Sequence, residues 1–151
     1  MDCDCDIIVL DFDGVLVESL NIYEWAPENI RVRDLGRLLL RSIPQHMKIY
    51  LVSGRSAKWL NLIKDILAAM GVSLSRIEFC LNRERSEIDH KLFCAERILE
   101  KEGCIYEWHD DNPYVLESLK RYVCGALVLH QGGRCWVIKG SSRLGQFCNE
   151  R

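Results

Sequence analysis

Two periods of apolar residues alternate along this chain. Short apolar runs recur at Ile7 to Leu10, Ile49 to Val52, Ile77 to Leu81, Cys104 to Trp108, Gly125 to Leu129 and Cys135 to Ile138. They are too short for helices and read as strands. The first two are continuously apolar, as in a sheet covered on both faces. Between the runs the spacing becomes helical. Residues 28–42 carry Ile30, Leu35, Leu38 and Leu39, with Ile43 just beyond, at helix intervals. Ser56 is placed to cap a helix that runs to about Met70, where Gly71 stops it. Residues 88–102 put Leu92, Ala95, Ile98 and Leu99 on one face, with Gly103 at the end. Asn112-Pro113, an N-cap followed by proline at the first helical position, opens a helix to about Tyr122. Residues 12–27 are mixed in character, contain Pro27 and read as a loop or small flap; Gly132-Gly133 reads as a turn. Strand and helix alternate throughout, which predicts an α/β fold built on a parallel sheet with helices on both faces.

At 151 residues the chain is expected to form one domain spanning 1–151, burying roughly 70% of the surface its unfolded form exposes. No apolar run reaches membrane-spanning length. The amino terminus, Met1 to Asp6, is acidic and lacks the basic-then-apolar order of a secretory signal, so a cytoplasmic protein is expected. A net charge of −2 gives no general attraction to nucleic acid or acidic membrane. Local basic clusters remain, at Arg31, Arg33, Arg37 and Arg41 and at Arg83 and Arg85. None of the eight cysteines forms a C-x-x-C pair. Several lie in apolar strands, where cysteine behaves as a small hydrophobe. Reduced core thiols are therefore the expectation. The alternatives are at least one disulfide, because intracellular disulfides are common in hyperthermophiles, and a metal site.

Three of the strands end in residues that a core would not choose. The first runs into Asp11-Phe12-Asp13-Gly14, the second into Ser53-Gly54-Arg55 and the fourth into His109-Asp110-Asp111-Asn112. In a parallel sheet these ends share one edge, so the polar groups can meet there. Asp11 and Asp13 repel one another unless a cation or a shared proton relieves them. A magnesium ion suits such a place, since it takes oxygen ligands and tolerates waters and phosphate oxygens. Asp110 and Asp111 add further carboxylate. Ser53 brings a hydroxyl and backbone N–H groups to a strand-to-helix turn, a ready phosphate site. From local pattern alone Lys91 is a surface lysine on a helix, and Asn112 is a helix cap.

Taken together, D-F-D-G, V-S-G-R, Lys91 and H-D-D-N resemble the four motifs of the haloacid dehalogenase superfamily of phosphatases, in that family's order, over residues 6 to about 130. The resemblance implies a Rossmann-like sheet whose first strand is central, flanked by the second and fourth. It implies that Asp11 is the nucleophile and that Asp13 protonates the leaving oxygen and later activates water. Ser53 and Lys91 would hold the phosphoryl group, with Gly54 and Arg55 beside them on the substrate. Asp11, Asp13 through its backbone carbonyl, Asp110 and Asp111 would hold Mg2+. Family members differ in an inserted cap, and the short stretch 15–27 leaves room for a flap only. The segment Ser86 to Phe93 is similar to that around the catalytic lysine in the phosphatase domain of phage-type polynucleotide kinases. That likeness implies a polynucleotide 3′-phosphate as substrate. Two alternatives stand beside it: a small-molecule phosphatase closed by a second subunit, and a non-enzymatic phospho-acceptor. In the folded sheet Cys5, Cys104 and Cys124 would lie at the edge opposite the site, with Cys104 and Cys124 the bonded pair if one forms.

Overall fold

The computed structural model describes residues 3–144 and 147–150. Its strands are β1 (Ile7–Leu10), β2 (Lys48–Ser56), β3 (Ile77–Asn82), β4 (Glu107–Asp110), β5 (Ala126–Gln131), β6 (Arg134–Gly140) and β7 (Asn149–Glu150). Its helices are α1 (Asp34–Ser42), α2 (Leu60–Ala69), α3 (Glu87–Glu102) and α4 (Pro113–Ser118). All these strands join one sheet in the order β3-β2-β1-β4-β5-β6-β7. As expected, β1 is flanked by β2 and β4, and β1 to β5 run parallel. The sheet departs from the parallel expectation at β6, which is antiparallel to β5. Gly132 and Gly133, both at positive φ, form the two-residue turn between them, and so short a link permits only antiparallel pairing.

Side-chain alternation sorts the core into two layers. Ile8 and Leu10 of β1 join Leu39, Leu40, Ile63 and Leu67 of α1 and α2. Ile7 and Val9 join Cys94, Ala95 and Ile98 of α3 and Val115 and Leu116 of α4. Both faces of the sheet are thus covered, which explains the unbroken apolar runs in β1 and β2.

Several boundaries differ from the sequence reading, among them the end of β2, which runs on to Ser56. The helix expected over 28–42 begins only at Asp34. The preceding residues are spent on a small flap, in which Val17 bridges both Asp13 and Val32 and Arg33 donates its N–H to Leu16. The fourth strand lies on Glu107–Asp110 instead of Cys104–Trp108, so Asp110 belongs to the strand itself. The helix opened by Asn112-Pro113 closes at Ser118. The flap between β1 and α1 is pinned by Trp25, which is buried and meets Phe12 and Trp59 edge-on. No larger cap stands over the carboxyl edge of the sheet among the described residues.

The cysteines correct the expectation of reduced thiols. All eight are paired, as Cys3–Cys124, Cys5–Cys104, Cys80–Cys94 and Cys135–Cys148. Cys5, Cys104 and Cys124 do precede β1, β4 and β5. Cys104 and Cys124, however, are each bonded to the amino-terminal segment and not to one another. Cys3 and Cys5 alternate along an extended strand entry, and each reaches a different neighbour.

Candidate active site

The carboxyl ends of β2, β1 and β4 lie side by side and form the floor of an open cleft of about 990 Å³. Asp11, one residue past β1, is 4% exposed. Its Oδ1 accepts the N–H of Phe12, which fixes the carboxylate at the mouth of the strand. Lys91 comes from the first turns of α3. It is 0% exposed, not the surface lysine that its helix suggested. Its Nζ lies 2.6 Å from Asp110 Oδ2 and 3.3 Å from Asp11 Oδ1, bridging the ends of β4 and β1. Ser86 caps α3 by accepting the N–H of Asp89, and this sets the turn that aims Lys91 inward.

Ser53 ends the regular part of β2 and is fully buried. The β2–β3 register then slips, with Ser53 opposite Leu81 and Ser56 opposite Asn82. Gly54 and Arg55 bulge out of the ladder, and Ser53 Oγ accepts the N–H of Arg55. Such a bulge beside a site re-aims side chains. Here it turns Arg55 into the cleft, where its guanidinium donates to Asp13 at 3.0 and 3.2 Å and to the carbonyl of Leu20. The same guanidinium lies over the Trp25 ring at 4.3 Å, and Trp25 Nε1 donates to Asp13 Oδ1 at 3.0 Å. Asp13, Arg55 and Trp25 therefore form a closed clasp on one side of the cleft.

Asp110 and Asp111 face the cleft from β4 and the residue after it. Carboxylate oxygens of Asp11, Glu87, Asp110 and Asp111 all lie within 4.8 Å of one another. Asp13's side chain is outside this group, being taken by Arg55. Glu87 is a member the sequence reading missed. It precedes Lys91 by four residues, so one helix turn brings both to the cleft; that spacing was the available signal. Asn112 is the N-cap of α4, accepting the N–H of Tyr114, and its amide also donates to Glu87. Gly14 sits at φ 81°, and a Cβ there would lie 2.2 Å from Asp111 Oδ2. The glycine is needed for both the turn and the space.

Electrostatics agree with a cation site. Burial pushes the Asp11 carboxyl well above its ordinary range; Lys91 pulls it down, while Asp110 and Asp111 raise it further. Asp111 is raised to about 6, by burial first and by Asp110 next. Burial works to lower the Lys91 ammonium, but Asp11 and Asp110 outweigh it and leave it above its ordinary value. One lysine thus leaves the four carboxylates with uncompensated negative charge. An oxygen-only donor set of this kind suits a hard divalent ion such as Mg2+.

Behind β4 a second polar chain was not anticipated. Buried Glu107 accepts from Ser142 Oγ, the Arg143 N–H and, at 2.5 Å, His109 Nε2. His109 Nδ1 lies 2.7 Å from His130 Nε2 on β5. Glu107 and His109 alternate on β4 with Trp108, so this network lies on the sheet face opposite the Trp108 side chain. It locks the strand that presents Asp110.

No family model matches the chain, and no curated protein matches it. Among solved structures it resembles the D,D-heptose 1,7-bisphosphate phosphatase of B. bronchiseptica, crystallised with magnesium and phosphate. The TM-score is 0.61, with 97% of this chain and 92% of that one covered. At 16% identity the likeness is one of fold.

Proposed function

We propose that the chain is a magnesium-dependent phosphomonoesterase working through an aspartyl-phosphate, with polynucleotide 3′-phosphate ends as substrate and the cytoplasm as its setting. One observation carries the chemistry. Asp11, a buried carboxylate at a strand mouth, stands against buried Lys91 inside a group of four converging carboxylates, with buried Ser53 on the adjacent strand end. The four disulfides are compatible with a cytoplasmic setting only in cells whose interior tolerates them, as in hyperthermophiles.

Asp11, Glu87, Asp110 and Asp111 are the residues that would hold Mg2+. The ion, when bound, neutralises charge on the phosphoryl oxygens and lets an anionic nucleophile approach an anionic substrate. Asp11 Oδ attacks phosphorus in line with the leaving oxygen and becomes acylphosphate. Lys91 Nζ and the Ser53 hydroxyl hold equatorial oxygens as charge spreads onto them. Asp13, once protonated from solvent, delivers that proton to the leaving oxygen as its bond to phosphorus breaks, and then takes one from the water that displaces phosphate from Asp11. For this it must leave Arg55. A phosphate competes well for a guanidinium, which pairs with it in the same two-pronged way, so substrate entry frees Asp13 as Arg55 turns to the ligand.

The test is Asp11→Asn. The substitution keeps the shape and removes the nucleophile. Enzymes accelerate monoester hydrolysis by up to ~10²¹-fold, so almost no background remains to confuse the result. Turnover of an aryl phosphate is expected to vanish in the variant, and to vanish with EDTA and return with Mg2+ in the parent. Retained turnover by pure Asp11→Asn rules out the aspartyl-phosphate route. Comparing an oligonucleotide 3′-phosphate with the matching mononucleotide tests the substrate.

A further inference from the structure

On the other side of the Asn82–Arg85 turn from the cleft lies a second groove of about 680 Å³, between the edge strand β3 and α3. Asn82 closes the turn by accepting the Arg85 N–H and donating to the Arg85 carbonyl. The turn splits its residues between the two hollows: Asn82 and Glu84 line the cleft, and Arg83 and Arg85 line the groove. Arg97 and Lys101, about three and four turns along α3, continue the basic lining. Lys101 is paired with Glu78 at 3.3 Å. Among the described residues Arg83, Arg85 and Arg97 enter no ion pair, although Glu100 also faces the groove. Phe93 stands among them, with the Arg85 guanidinium 3.8 Å above its ring and that of Arg97 at 5.6 Å.

Three exposed, unpaired arginines on a chain of net charge −2 need a local reason. Their spread over a groove much larger than one phosphate group argues for a ligand with repeated charge. An aromatic ring with a guanidinium stacked on it, set in a basic groove, is how unpaired bases and their backbone are held together. The geometry points to a single-stranded nucleic acid lying in this groove, its phosphodiesters on Arg83, Arg85 and Arg97 and a base on the Phe93–Arg85 platform. The strand crosses the Asn82–Arg85 turn to put its terminal phosphate at Asp11. This inference rests on the phosphomonoesterase reading for the terminal step only; binding in the groove stands apart from it.

The experiment separates the two. A fluorescent single-stranded oligonucleotide without a terminal phosphate is titrated by anisotropy against the full chain and against Arg83→Glu/Arg85→Glu/Arg97→Glu, at several salt concentrations. Aryl phosphate turnover is measured in parallel. The parent is expected to bind with salt-dependent affinity. The triple variant is expected to lose about tenfold or more, with the salt slope reduced by roughly 2, at ~0.7 per single-strand phosphate contact. It should stay folded by circular dichroism, and its aryl phosphate turnover should match the parent, since none of the three residues lines the cleft. Phe93→Leu, which keeps the apolar packing, should weaken binding several-fold without changing the salt slope. Binding that the triple variant leaves unchanged, or that polyglutamate of equal length displaces as well as DNA does, overturns the assignment. Absent aryl phosphate turnover in the parent overturns the phosphatase reading and leaves the binding result to stand or fall by itself.

Discussion

Lys91 shows most directly what burial does to a residue. On a solvated helix face it would be an ordinary cation. Here it is the counter-charge of two buried carboxylates. Lys91→Ala therefore leaves Asp11 and Asp110 facing each other uncompensated, and breaking a buried pair from one side costs about 3–5 kcal/mol. Lys91→Met keeps most of the volume and is the better probe. With Mg2+ present it should stay folded by circular dichroism and lose roughly 10²–10³-fold in turnover, the scale of one electrostatic donor. A near-normal rate in Lys91→Met would remove the lysine from the mechanism. Gly14 makes a second residue-scale case. Gly14→Ala forces a Cβ into a positive-φ turn and against Asp111. A higher magnesium concentration for half-maximal turnover is expected, read from a Mg2+ titration. His130 supplies a pH test. Burial, then His109 and Arg33, depress its imidazole to about 2 from an ordinary 6.5. The unfolded chain thus binds a proton that the folded chain refuses, so stability falls as pH drops below about 6.5, by up to ~1.4 kcal/mol per unit. Urea midpoints at pH 7 and pH 5 should differ more for the parent than for His130→Gln, whose amide still donates to His109.

At the scale of elements, the helices were legible where caps punctuate them. The structure gives α3 a cap at Ser86 and an end at Gly103 in the left-handed conformation, close to the expected 88–102. The helix expected from residue 28 starts only at Asp34 because Ile30 lies five residues before Leu35, off the helical stripe, and alternates with Val32 at the strand interval. Contacts with Leu16, Val17 and Glu18 decided for the extended form. The β2 bulge at Gly54-Arg55 was likewise invisible, since it depends on where β3 stops pairing. Cys80–Cys94 fastens α3 to β3, and closing a loop of about 15 residues is worth roughly 3 kcal/mol in the chain-entropy picture. Cys80→Ser/Cys94→Ser should lower the unfolding free energy by about that amount. Because α3 also carries Lys91 and Glu87, turnover should fall with temperature before global unfolding does, which parallel activity and circular dichroism melts would detect.

Over the whole molecule, Cys3–Cys124 and Cys5–Cys104 bind the amino-terminal segment to the entries of β5 and β4, across separations of 121 and 99 residues. These lie at the sheet edge remote from the cleft. Each long closure is worth roughly 2–4 kcal/mol, and each kcal/mol is about 2–4 °C of melting temperature at this size. Full reduction should therefore lower the melting point by roughly 10 °C or more. Below the new transition, aryl phosphate turnover should survive in Cys3→Ser/Cys124→Ser, and its loss in a folded variant would contradict the remote placement. The sequence by itself determined the fold class and three of the strand ends that form the cleft. Apolar periodicity and strand-end polarity are local properties, written within a few residues of one another. It did not determine Glu87's place among the carboxylates, the Asp13–Arg55–Trp25 clasp, the Glu107–His109–His130 chain or which cysteines pair. Each of those joins residues from separate elements. Their meeting depends on sheet order, register and side-chain direction, which exist only once the burial of both sheet faces has selected a single packing.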